Sequence, residues 1–294
     1  MGLFFSSDRF TRPGPGVRPD APRKKGVARL AEIMGRDMWN FFRAGFLAFL
    51  GCLPFIIGMF FAVETHALLF MLLAGIIGGL IAGPELSAMA DTVLRSLRDE
   101  PGYWWETYRR VWKRNARESL IPGMLTGLVL SMQIFTLFHM SGISAGIVTW
   151  VLLILSFVVT LGLESYIWPQ IALLDLPLYG ILKNSLLLFL GYLPRSLGAI
   201  AIKAVYWGAI LLFFPLTTII LPFTNFWLPM LPALLCIYQP LNKCFTIEST
   251  INKMREDELN AALAKDNEPL PENPTEKAEE STEASSDDSS SDVQ

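Results

Sequence analysis

The sequence predicts an all-α membrane protein with six transmembrane helices, arranged as three repeated hairpins, and a cytoplasmic interfacial amphipathic helix. Three observations carry this expectation. Six apolar runs are each long enough to cross a bilayer, which takes about 20 helical residues and at least about 17. Lys and Arg recur in alternate connections and are missing from the others. Charge also divides sharply along the chain, with 22 Lys+Arg against 14 Asp+Glu through residue 255 and 2 against 13 beyond it. A soluble helix would mix polar residues into each turn at a 3.6-residue period. These runs are apolar all round, as helices in lipid must be.

Residues 1–40 form a basic segment carrying Arg9, Arg12, Arg18, Arg23, Lys24, Lys25, Arg29 and Arg36. Pro13, Gly14, Pro15 and Gly16 forbid a regular helix in its first part, whereas Ala28–Asn40 suits a short helix leading into the first span. The sequence predicts no cleaved signal peptide, because the first apolar run starts near residue 41 and is too long for such a leader. The expected spans are Phe41–Val63, Ala67–Gly83, Ile121–Met140, Ile143–Pro169, Leu197–Leu221 and Phe226–Thr246. The connections at Glu64–His66, Ser141–Gly142 and Pro222–Asn225 hold no Lys or Arg. The intervening ones hold Arg95, Arg98, Arg109, Arg110, Lys113, Arg114, Arg117, Lys183 and Arg195. The positive-inside rule places both termini of a six-span chain in the cytoplasm.

Each hairpin opens on a basic start (Arg43-Ala44, Arg114-Asn115, Lys183-Asn184) and closes with Pro84, Pro169 or Pro240. The starts are 71 and 69 residues apart, and Arg43–Pro54 (RAGFLAFLGCLP) matches Lys183–Pro194 (KNSLLLFLGYLP) at several positions. Such spacing signals a duplicated unit, although Leu-rich segments also resemble one another through composition alone. In the second span Gly75, Gly79 and Gly83 share one helical stripe. Helices in lipid associate through close backbone approach at small residues, so this span belongs at the centre of the bundle.

Ser87–Asp99 and Tyr103–Leu120 are expected as two cytoplasmic helices around a turn at Pro101-Gly102. In the second, Trp104, Trp105, Tyr108 and Trp112 gather on one face, with Arg109 and Arg110 on others. That composition fits a helix at the lipid headgroups, and the same amphipathic surface could dock a partner protein. The segment 251–294, rich in Glu, Ser, Asp and Pro, is expected to be a disordered acidic cytoplasmic tail.

Charges inside spans are costly, with a central Lys near ~3 kcal/mol on insertion scales. Lys203 and Glu164 lie at matching depths in the fifth and fourth spans, so they are expected to pair or to share a polar cavity, unless Lys203 snorkels to the interface. Glu85, beside Gly83-Pro84, is the third candidate polar residue. It is placed to cap the following helix or to face arginines of Tyr103–Leu120. His66 and His139 stand at connections without Cys or carboxylate partners at ligand spacing, and the three cysteines show no metal or disulfide pattern. No metal site and no cofactor is therefore expected. No catalytic motif is present either, so the chain is expected not to be an enzyme. Its basic residues hug membrane segments, which argues against a nucleic-acid partner and for the lipid bilayer.

Several stretches together resemble the YesL family of bacterial integral membrane proteins. They are Arg12–Val17 with Lys24-Lys25, then Cys52-Leu53-Pro54, then Gly83-Pro84 followed by the basic helix with Tyr103–Trp112 and Arg114-Asn115, and finally Lys183-Asn184-Ser185-Leu186. The resemblance covers about residues 8–250. This chain departs from the family pattern in having Ala44 where Asn is usual and Glu85 where Ala follows Gly-Pro. The family has no established activity. Its members look associated with carbohydrate utilisation, so the resemblance implies a bacterial plasma membrane protein acting as an accessory or scaffold beside sugar transporter subunits. The alternative is a transporter or permease in its own right, using the Glu164–Lys203 region. The scarcity of hydrogen-bonding side chains in the spans favours the accessory reading.

Overall fold

The computed structural model describes residues 23–24, 26–100, 102–140 and 146–266, and every regular element among them is helical. In order these are α1 (Gly26–Thr65), α2 (Leu68–Leu73), a π-helical turn (Ala74–Gly78), α3 (Gly79–Arg98), α4 (Trp104–Met140), α5 (Ile147–Leu173), α6 (Leu178–Gly191), α7 (Leu193–Leu212), α8 (Thr217–Thr224), α9 (Trp227–Phe245) and α10 (Ile247–Asp266). The α2–π–α3 stretch forms one helical run, Leu68–Arg98. That run, α1, α4, α5 and α7 make five helices long and apolar enough to cross a bilayer. The protein is thus a multi-pass membrane protein by the length and composition of its helices.

Three of these helices outlast the membrane. At ~1.5 Å of rise per residue, α1, Leu68–Arg98 and α4 are about 60, 47 and 56 Å long, against a hydrocarbon core of ~30 Å. Their surplus lies at the arginine-rich end, where α1 and α4 begin and α3 finishes. The opposite end carries the α1–α2 connection and the end of α4.

Several boundaries depart from the sequence expectation. Tyr103–Leu120 is no separate surface helix, because α4 runs unbroken from Trp104 into the third span with Pro122 inside it. Pro84, Pro169 and Pro240 close nothing, since each lies within a helix. In a packed membrane bundle, neighbouring groups re-satisfy the carbonyls that proline frees, so a proline there does not by itself end a helix. The fifth span is cut short. α7 ends at Leu212, and a turn at residues 213–216 separates it from the short α8. α9 has 19 residues, but Pro232, Pro240, Gln239, Asn242 and Lys243 leave it less apolar than the other five. The connection around Lys183 is itself an apolar 14-residue helix, α6. The two copies of the repeated motif also differ. The first lies inside α1, whereas the second breaks at Tyr192 between α6 and α7. Gly51 of the first copy is buried against Glu85, while its counterpart Gly191 faces open space.

The acidic tail, expected to be disordered from residue 251, is helical as far as Asp266. Its Asn260–Lys265 stretch is rich in Ala and Leu, both strong helix formers. The chain divides into two units between Phe245 and Thr246, and α10 is the described part of the second. The predicted extended segment at Arg12–Val17 and the acidic run Glu283–Asp292 lie outside the described residues.

α3 occupies the position its glycines foretell, packing against α1, α4, α5 and α9. The stripe Gly75–Gly79–Gly83 runs antiparallel along Ser119–Gly123–Gly127–Ser131 of α4, and both are four-residue repeats of small side chains. A methyl group at Gly79 or Gly123 would run into the other helix's backbone carbonyl, at Gly123 or Gly79 respectively. One at Gly127 would lie 2.5 Å from the Gly75 carbonyl oxygen. On its other side the π-helical turn meets α1, where Gly58 faces Ala74 and Gly78 faces the Phe55 backbone. Backbones pack directly on backbones along this seam, and dispersion between them replaces the hydrophobic force that lipid removes.

Candidate functional site

The densest polar structure forms where three helices project beyond their apolar stretches. α3 ends at Arg98, and its cap Asp99 adopts a left-handed conformation with φ 59°. The last carbonyls of any helix lack intrahelical donors and carry partial negative charge. Here arginines preceding and opening α1 supply the donors. Arg36 donates to the Ser96 carbonyl at 2.8 Å, buried Arg29 to Leu97 at 3.1 Å, and Arg23 to Arg98 at 3.2 Å. The same three guanidiniums converge on the Asp99 carboxylate, Arg29 at 2.6 Å, Arg23 at 3.2 Å and Arg36 in close contact. Arg98 grips Glu100 with two bonds of 2.8 and 3.1 Å, and Arg95 bridges Asp91 at 2.7 Å. Partial burial works against the Asp99 charge, but hydrogen bonds from Arg36 and Arg29, and their positive field, outweigh it and hold the carboxyl below the usual aspartate range.

A consequence is testable by pH. A depressed carboxylate stabilises the fold above its unfolded pKa, about 4. That stabilisation is lost as pH falls through the lower folded value. Asp99→Asn is expected to melt below wild type at neutral pH, and the gap is expected to close as the buffer is taken below about pH 4. A pH-independent gap in thermal melts would contradict the assignment.

Beside this cluster lies a cavity of about 300 Å³, lined by Arg36, Asn40, Ser96, Asp99, Trp104 and Tyr108 among others. Trp104 Nε1 is buried without a hydrogen-bond partner. Arg43 sits over both the Trp39 and Trp104 rings, at 5.0 and 5.6 Å from their centroids.

Glu85 neither caps a helix, since α3 runs straight through it, nor binds the expected arginines. It accepts hydrogen bonds from Tyr108 Oη at 2.5 Å and Trp112 Nε1 at 2.9 Å. The bare backbone of Gly51 makes room for its stem, because a Cβ there would come within 2.6 Å of Glu85 Cγ. The aromatic set of α4 is thereby split. Tyr108 is buried and the Trp104 ring packs on it at a tilt, with centroids 5.2 Å apart, while Trp105, Arg109 and Arg110 face outward.

Lys203 and Glu164 do meet, with Nζ 3.9 Å from Oε2. Trp168 Nε1 adds a bond to Glu164 at 3.3 Å. The space beside them, closed by Met230, Leu234 and Ile237, measures about 10 Å³, scarcely one water. Elsewhere in the bundle polar groups form small knots that sequence reasoning did not find, with Gln133 Oε1 and Gln170 Oε1 buried and unpaired. Gln133 donates to Thr160 at 2.8 Å and Ser156 at 3.2 Å, Gln170 donates to Ser185 at 2.8 Å, and Tyr166 bonds Ser196 at 2.8 Å. The two histidines, considered singly in the sequence, touch across the opposite end of the bundle. Comparison of the chain with protein-family models, curated proteins and solved structures finds no match.

Proposed function

We propose that this protein is an accessory or scaffold component of a carbohydrate uptake system in a bacterial cell membrane, with six spans, both termini cytoplasmic and α9 as the sixth span. The carbohydrate assignment rests on the YesL resemblance. The docking assignment rests on one structural observation, the outward face of the α4 extension. Tyr108, Val111, Asn115 and Ser119 fix this helix against the bundle, while Trp105, Arg109, Arg110, Lys113 and Arg117 remain exposed. An aromatic anchor among cations on a rigid helix is a preformed surface for an acidic partner groove. The small volume beside Lys203 speaks against a saccharide route through these helices.

The test pairs two measurements. Proteoliposomes holding this protein alone are expected to show no sugar uptake, and measurable flux would replace the accessory reading with the transporter one. Copurification of the sugar transporter's permease or ATPase subunits is expected to be lost in Trp105→Ala/Arg109→Glu with the melting temperature unchanged. Trp112 is a poor choice for this purpose, because its loss also unties Glu85.

A further inference from the structure

We infer that His66 and His139 form a two-histidine site for a divalent transition-metal ion, of the zinc or copper kind, at the end of the bundle opposite the arginine cluster. His66 ends the α1 hairpin turn, in a left-handed conformation with φ 53°, and His139 lies one residue before the end of α4. His66 Nδ1 and His139 Nε2 are 2.6 Å apart. The other ring nitrogen of His139, Nδ1, lies 2.8 Å from the Phe135 carbonyl. A carbonyl only accepts, so Nδ1 carries the proton, and in the neutral ring the Nε2 lone pair is left facing His66. This is the arrangement typical of metal-ligating histidines, whose second nitrogen is tied to a backbone carbonyl that fixes tautomer and ring direction. The Phe135 ring, stacked on His139 at 3.8 Å between centroids, holds the imidazole in that plane.

At rest His66 Nδ1–H closes the contact as a donor. Moving that proton to His66 Nε2, the other neutral tautomer, turns a second lone pair toward the first with no change in charge. Two imidazoles binding one tetrahedral zinc at ~2.0–2.1 Å stand ~3.3 Å apart. The pair therefore has to open by less than ~1 Å, at a turn rather than inside a helix. Glu64, exposed two residues earlier, adds negative charge to an end whose α1–α2 connection has no Lys or Arg. Among the described residues no group of three or more His, Cys, Asp or Glu side chains gathers. Water would complete the coordination, and the ion would be exchangeable. Bound there, it would tie the α1–α2 turn to the end of α4, two points 73 residues apart in sequence.

The test uses tag-free protein in detergent, in a Cys244→Ser background because that thiol is exposed. Copper(II) is expected to give an electron paramagnetic resonance spectrum with two equatorial nitrogens, and zinc, added alone because copper(II) binds such sites more tightly, is expected to raise the melting temperature. His66→Asn tolerates the left-handed backbone and removes one ligand. It is expected to cut zinc affinity at least tenfold and leave a single nitrogen on copper, with His139→Gln doing the same. Should His139→Gln fail to fold, His66→Asn decides alone. A wild-type copper spectrum with fewer than two nitrogens, or zinc affinity unmoved by His66→Asn, would overturn the assignment.

Discussion

Gly79→Ala is expected to destabilise the protein by about 1–3 kcal/mol and to lower the yield of folded material, although alanine is the better helix former. The added methyl has nowhere to go, because it would meet the Gly123 carbonyl, a backbone atom of a facing helix, rather than a side chain that could rotate away. The two helices would have to separate along the seam, and the contacts at Gly75–Gly127 and Gly83–Ser119 would loosen with them. Gly127→Ala is expected to behave alike. The control is Gly35→Ala near the start of α1, where a Cβ meets nothing within 4 Å. There the usual gain of replacing a helical glycine, roughly 0.5–1 kcal/mol, should appear. Thermal melts in detergent separate the cases. Equal effects at Gly79 and Gly35 would mean that the seam is not packed backbone to backbone.

The second large effect concerns the charge pair within the bundle. Lys203→Met leaves Glu164 with the Trp168 indole as its remaining partner, and removing one partner of a buried pair costs about 3–5 kcal/mol. The cost belongs to the orphaned charge rather than to the bond itself. Lys203→Met/Glu164→Gln should therefore recover most of the loss, leaving the double variant within about 1 kcal/mol of wild type. A single variant as stable as wild type would show that Lys203 reaches the interface on its own, and a double variant no better than Lys203→Met would show that the two groups are not coupled.

What the sequence revealed and what it hid have physical reasons. The glycine stripe was legible because close approach in lipid demands small residues at fixed spacing, and the structure supplies the facing stripe on α4. Lys203 and Glu164 were legible because charges within apolar runs are rare and their depths can be counted along the helix. Helix ends were not. Pro84, Pro169 and Pro240 resemble terminators by local rules, yet packing carries the helices through them. Arg23, Arg29 and Arg36 served in the sequence only as markers of sidedness, because nothing local shows that three arginines before and within α1 will meet the carboxyl end of a helix some 70 residues later. The histidine contact was invisible for the same reason, since it joins two helix ends that neighbour each other only after α1 and α4 have packed.

The account depends most on α1 and α4 crossing the membrane with their arginine-rich ends in the cytoplasm. Single cysteines placed by Gly35→Cys and Thr65→Cys, in a background lacking Cys52, Cys236 and Cys244, test this with an impermeant maleimide on intact cells. Thr65→Cys is predicted to label from outside and Gly35→Cys only after the membrane is opened. Labelling of both from the same side, or of Gly35→Cys alone from outside, would contradict it.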